Sequence, residues 1–161
     1  MRKTTGLRAE GTIMINYLKM EFFSLSANEG LARTAAAAFF AELDPTMEAL
    51  ADVRTAVSEA VTNAIVHGYR NKSGSIIMEC SIEEDGLFMV SVSDMGCGIA
   101  DIEQAMEPFF TTARGEERTG MGFAVMKAFM DSVDVKSAPG VGTTVIMTKR
   151  VYKNGEDLYG E

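Results

Sequence analysis

Glu59, Asn63 and His67 stand four residues apart within residues 57–67. On a helix, four residues advance about 400° and rise about 6 Å, so a carboxylate, an amide and an imidazole would line one flank. Val53, Val57, Ala60, Val61 and Ala64 fall on a separate arc that packs, so the polar stripe borders the apolar one and faces a cleft. An Asn amide oxygen is a hard ligand suited to Mg²⁺, which fills its octahedral shell with waters and phosphate oxygens. A carboxylate one turn away is placed to orient or deprotonate a hydroxyl or water attacking a terminal phosphate. Each residue alone also has a plain structural reading: Glu59 and Asn63 as a solvated helix edge, and His67, the sole histidine, as a helix-end group satisfied by the last carbonyls.

Two glycine pairs follow. Asp94 ends a β-type run and precedes Met95-Gly96-Cys97-Gly98, where an Asp before Gly either makes a turn or accepts the exocyclic amine of adenine, with Gly96 and Gly98 letting the ring approach backbone. Gly142-Thr143-Thr144 opens the last strand, and Thr143 there serves β propensity or sets a hydroxyl beside that carboxylate. Gly120-Met121-Gly122-Phe123 precedes a helix whose amides can hold anionic oxygens. Neither pair extends to a dinucleotide fingerprint, because Asp101 and Val125 stand where the third small residue belongs, and neither a Walker A loop nor a eukaryotic-type kinase catalytic loop is present.

The elements that must position these groups read in order along the chain. Residues 1–11 are polar and aperiodic, a frayed extension. A strand spans about 13–24, its alternation only approximate in Met14, Tyr17 and Met20. Ser26-Ala-Asn28-Glu29 offers a capping box or an Asn cap for a helix to about Leu43, and Asp44-Pro45 caps a second helix that carries the Glu59 stripe to Gly68. Residues 75–82 and 87–93 form a hairpin across Glu83-Glu-Asp-Gly86. From 96 to 119 regular periodicity is lost, which predicts a functional lid; a helix at about 122–130 and a hairpin of 133–138 with 143–151 close a single domain of residues 12–152, followed by a polar tail at 153–161.

Composition sets limits. A length of 161 residues with 47% apolar content supports one sizeable core. With 15 basic against 23 acidic residues the net charge is −8, which disfavours direct nucleic-acid binding. Cys80 and Cys97 have no paired spacing and no secretory leader before them, and read as reduced cytosolic thiols. No apolar run approaches the roughly 20 residues needed to span a bilayer, so a cytoplasmic protein without a membrane partner is expected. Twelve Met and no Trp suggest an adaptable core.

The ordered set Glu-x3-Asn-x3-His, Asp-x-Gly-x-Gly, Thr-Gly-Met-Gly and Gly-Thr-Thr resembles the GHKL ATPases, which include gyrase-type topoisomerases, heat-shock chaperones, histidine kinases and the mismatch-repair ATPase. Residues 56–69, 101–105, 110–112 and 120–123 are similar to one branch, the sporulation anti-sigma factors that double as serine kinases, with the likeness running from about 20 to 148. The resemblance implies an α+β fold, a two-layer α/β sandwich of the GHKL (Bergerat) type whose mixed sheet is covered on one face by helices, with ATP or ADP under a lid. It also implies phosphoryl transfer to a serine of an anti-anti-sigma protein, binding of a sigma factor, and a homodimer. By that likeness Glu59 is the base, Asn63 holds Mg²⁺, Asp94 holds adenine, and Gly96, Gly98, Gly120 and Gly122 shape the pocket, with His67, Thr112, Thr119, Met121 and Thr143 completing the nucleotide set. Where the family continues Phe-Thr-Thr with Lys-Pro, this chain has Ala113-Arg114, and Arg118, just before Thr119, is the candidate for the terminal phosphate. Arg33 matches the family's partner-binding face, and otherwise reads as a solvated helix charge. Two other readings compete. A histidine kinase catalytic domain would need a phosphoacceptor histidine outside the nucleotide helix, and a nucleotide-gated binding module without transfer would have no use for Glu59.

Overall fold

The computed structural model describes residues 11–108 and 121–152. The first strand, β1 (Met14–Phe23), alternates strictly, turning Leu18, Met20 and Phe22 toward the core and Tyr17 toward the opposite face. Tyr17 therefore does not share a face with Met14 and Met20: its side chain differs from theirs by an odd number of residues, and a strand has period two. Helix α1 (Ser26–Phe40) and a 3₁₀ turn (Ala41–Leu43) lead into α2 (Met47–Asn63), which ends in a π turn (Ala64–Gly68). Then come β2 (Ser75–Glu83), β3 (Leu87–Asp94), the short α3 (Ile102–Ala105), α4 (Gly122–Phe129), β4 (Ser132–Ala138) and β5 (Gly142–Arg150). Residues 1–10 of the expected N-terminal extension, the expected C-terminal tail and residues 109–119 of the expected lid lie outside the described residues, while the described part of that lid contains α3.

The five strands form one sheet in the order β1-β2-β3-β5-β4, and every pairing is antiparallel. The expectation of a mixed sheet is corrected here. Two antiparallel helices separate β1 from β2, so the chain re-enters the sheet reversed; a single crossover helix would have made that pair parallel. One face carries the core: Ile76, Met78, Phe88, Val90 and Met147 are buried beneath Ala32, Ala36, Phe40, Val53, Val57 and Val61. Ala32 and Ala36 are fully buried, and their small side chains let α1 lie close on α2. Phe40 anchors the end of α1 to the sheet, its ring centroid 4.9 Å from that of Phe88 at an interplanar angle of 48°.

Both predicted N-caps differ from the observed ones. Leu25 occupies the cap of α1 without a side-chain bond, because Asn28 Nδ2 instead donates to Phe23 O at 3.0 Å and ties the helix start to the end of β1. Thr46 caps α2, its Oγ1 accepting from Ala49 N at 3.1 Å, whereas Asp44 takes a left-handed conformation (φ 54°) that ends the 3₁₀ turn. Thr46→Ala is therefore expected to cost about 1 kcal/mol, and Ser26→Ala less than about 0.5 kcal/mol. Urea unfolding of the two variants would check the difference.

Candidate functional site

The last turns of α2 carry Glu59 and Asn63 at the edge of its buried face, where Val53, Val57, Ala60 and Val61 pack into the core. Beyond Asn63 the backbone widens into the π turn, with Tyr69 N donating to Ala64 O at 2.9 Å. Such turns carry one extra residue per hydrogen bond and recur at functional sites. This one brings Gly68 against the end of β3. A Cβ on Gly68 would sit 2.8 Å from the Asp94 Cγ and Oδ1, closer than side chains approach one another. Gly96 closes the same contact from the other side, since a Cβ there would lie 2.1 Å from Gly68 O.

Asp94 is 9% exposed, and burial pushes its carboxyl above the ordinary aspartate value, opposed by hydrogen bonds from the Gly96 and Thr143 amides. Gly96 N donates to Asp94 Oδ1 at 2.9 Å. Sheet register sets Thr143 directly opposite Asp94 and Ser137 opposite Thr143. The Ser137 and Thr143 hydroxyls lie 2.8 Å apart, and Ser137 Oγ also accepts from Ile99 N at 2.8 Å, which fastens the chain after β3 to the β4–β5 hairpin. Beside Asp94 on the same face stand Val92 and Val145, themselves paired across β3 and β5.

These groups line a single cavity of about 500 Å³, within the range of small-ligand sites. Glu59, Asn63, His67 and Asp94 all contribute to its wall, and so do Gly98, Met121, Gly122 and Thr143. Gly96 stands behind the wall as a support of Asp94, and Arg33 lies on α1 away from it, paired with Glu29 at 3.5 Å. Thr112, Arg118, Thr119 and Gly120 lie outside the described residues. The N-terminus of α4 meets the Glu59 end: a Cβ on Gly122 would fall 3.2 Å from the Asn63 amide atoms and from Glu59 Oε2. From Glu59 to Gly68 is roughly 13 Å along the helix. The cavity thus has an apolar slot ending in a buried carboxylate, and a second end where a carboxylate and an amide face the positive pole of a helix. The first fits a flat base bearing an amine, and the second fits phosphates. Sequence reasoning missed Gly68, Tyr69, Ile99 and Ser137; Gly68 served there only as a helix stop.

The histidine kinase-like ATPase domain family matches residues 24–149 of this chain. Proteins named anti-sigma F factor from Thermoanaerobacter sp. and Caldanaerobacter subterraneus subsp. tengcongensis are 54% and 53% identical, the matches covering 84% and 86% of this chain and 94% and 96% of theirs. The chain belongs to the anti-sigma F factor family. A further member, from Geobacillus sp., is 48% identical across 88% of this chain and 97% of its own. Among solved structures, that of the RsbU and RsbW domains of a Mycobacterium tuberculosis protein superimposes with a TM-score of 0.61 at 23% identity, covering 84% of this chain and 32% of that one. A blue-light activated histidine kinase domain from Erythrobacter litoralis gives 0.51 at 20%, covering 76% and 60%. These two share the fold. Membership in the family implies that the chain binds a nucleotide and belongs to a kinase family.

Two outcomes are expected. Gly68→Ala should displace the Asp94 carboxylate and weaken ATP binding by about tenfold to a hundredfold, which calorimetric titration would measure. A carboxylate accepts from an amine best when ionised, whereas a raised pKa means that protonated Asp94 favours the folded state on the acid side, a contribution lost as pH rises through that pKa. ATP affinity should therefore fall on acidification, starting above 3.8, the ordinary value, and Asp94→Asn should flatten that profile.

Proposed function

We propose that this chain is an anti-sigma factor and a protein-serine kinase, which binds a sporulation sigma factor and inactivates an anti-anti-sigma protein by ATP-dependent phosphorylation of a serine. The observation that carries the reading is the meeting of Glu59, Asn63 and the α4 N-terminus in the cavity that also holds Asp94. Asp94 accepts the adenine amine, and Val92 and Val145 flank the ring. Glu59 takes the proton of the incoming serine hydroxyl as its oxygen bonds to the terminal phosphorus, and the bond to the bridging oxygen breaks to release ADP. Amides at the start of α4 stabilise the phosphate charge, and Arg118 is assigned to the terminal phosphate.

Among the described residues no cluster of three His, Cys, Asp or Glu could hold a metal by itself. Asn63 fits a different arrangement, in which one amide oxygen and the nucleotide's own phosphates share the ion. Mg²⁺ so held would neutralise charge on the transferring group. Thr112, Thr119, Gly120 and Met121 are assigned to the phosphate side of the pocket, Gly98 and Thr143 to the base side, and His67 to the wall between them. Arg33, with its side chain 40% exposed on α1, is assigned to the partner surface, and we take the working form to be a cytoplasmic homodimer. No helix among the described residues is long and apolar enough to cross a membrane.

Incubation with γ-labelled ATP, Mg²⁺ and an anti-anti-sigma domain should label a serine of that domain. Label on His67 would instead indicate a histidine kinase, and binding without label a nucleotide-gated module. Glu59→Gln should retain ATP affinity and lose transfer by roughly 100- to 10,000-fold. Transfer that survives this change would remove Glu59 as the base.

A further inference from the structure

The turn after β3 is held by three successive amides, each with a different acceptor. Met95 N donates to the Tyr69 hydroxyl at 2.9 Å, Gly96 N to Asp94 Oδ1 at 2.9 Å, and Cys97 N to Gly68 O at 2.9 Å. Two of those acceptors, Gly68 and Tyr69, belong to the end of the π turn. Tyr69 is itself fixed twice. Its hydroxyl donates to Ser75 O at 2.5 Å, at the start of β2, and its ring fills the space beside Gly74, where a Cβ would come within 2.2 Å of the ring. Its backbone N–H closes the π turn on Ala64 O. One side chain therefore joins the end of α2 to the first residue of β2 and to the residue that follows Asp94.

We propose that Tyr69 is a positioning residue that sets base selectivity, its hydroxyl holding Met95 N so that the Asp94 carboxylate stays aimed at the exocyclic amine of a bound purine. The inference rests on the adenine reading of Asp94. A carboxylate discriminates for an amine only while its direction is fixed, because a hydrogen bond weakens steeply once its angle falls below about 120°. Asp94 has its own bond from Gly96 N, and the Cys97 N bond to Gly68 O holds the turn from the far side; the Met95 amide, between the carboxylate's own backbone and Gly96, is held by the Tyr69 hydroxyl. The tie comes from a side chain outside the nucleotide's contact set: Tyr69 does not line the cavity. Its loss should thus act on recognition of the amine, leaving the phosphate end alone.

The test compares ATP with purine riboside triphosphate, the same nucleotide without its 6-amino group, by titration of the full chain. Tyr69→Phe keeps the ring against Gly74 and removes only the hydroxyl. It should lower ATP affinity by about threefold to tenfold, the worth of one hydrogen bond, with affinity for the amine-free analogue unchanged, so that the ratio between the two narrows. Gly74→Ala, which pushes on the ring and keeps the hydroxyl, should narrow the same ratio. Equal losses for both nucleotides, or an unchanged ratio in both variants, would overturn the proposal. Asp94→Asn in the same titration separates the two readings. If it abolishes the preference for ATP while Tyr69→Phe leaves it intact, only the role of Tyr69 fails. If wild type shows no preference and Asp94→Asn alters nothing, the adenine reading fails with it.

Discussion

A buried carboxylate at the end of β3 is the constraint around which the rest of the site is arranged. Ionised carboxylates are costly to remove from water, and the cost is tolerable only where amides and ligand donors replace the lost solvent. Asp94 obtains two such donors from backbone, Gly96 in its own turn and Thr143 across the sheet. Both depend on elements distant in sequence: the antiparallel register of β3 with β5 and the close approach of Gly68, which has no side chain to intrude. The sheet supplies the carboxylate, the widened end of α2 supplies its back wall, and the β4–β5 hairpin supplies its flank.

The two ends of the cavity are separated by the roughly 13 Å of chain from Glu59 to Gly68. Glu59 and Asn63 sit on regular α-helix, where core packing of Val57, Ala60 and Val61 fixes their direction. Gly68 ends the π turn and Tyr69 follows it, where the backbone meets β3. A change at one end can therefore act on the Asp94 side of the cavity without moving Glu59. The α4 N-terminus joins the Glu59 end through Gly122, and the residues just before it lie in the stretch assigned to the terminal phosphate.

Local pattern carried much of this into the sequence. The arc of Val53, Val57, Ala60, Val61 and Ala64 is buried as its helical period requires, and the alternation of β3 delivers Asp94 to a strand end on the face it shares with Val92. What sequence periodicity could not express is pairing between distant segments. Nothing local in β3 states that β5, about fifty residues on, is its neighbour, so the all-antiparallel sheet and the place of Ser137 beside Thr143 were out of reach, although the motifs did set Thr143 near Asp94 as one reading. Caps failed for a related reason. Asn28 has the chemistry of a cap but is taken by Phe23 O, and Asp44 is drawn into a left-handed turn, leaving Thr46 to serve α2. The π turn has no signature among residues 64–68, although its last residue, Gly68, is the one that meets Asp94.

A crystal structure of this chain with Mg²⁺ and a non-hydrolysable ATP analogue would show how the cavity seats the nucleotide. The 6-amino group is expected within hydrogen-bond distance of the Asp94 carboxylate, the ion on the Asn63 amide oxygen, and the terminal phosphate between Glu59 and the start of α4. A nucleotide seated elsewhere, or one whose base points away from Asp94 while its phosphates miss Glu59 and Asn63, would contradict this placement.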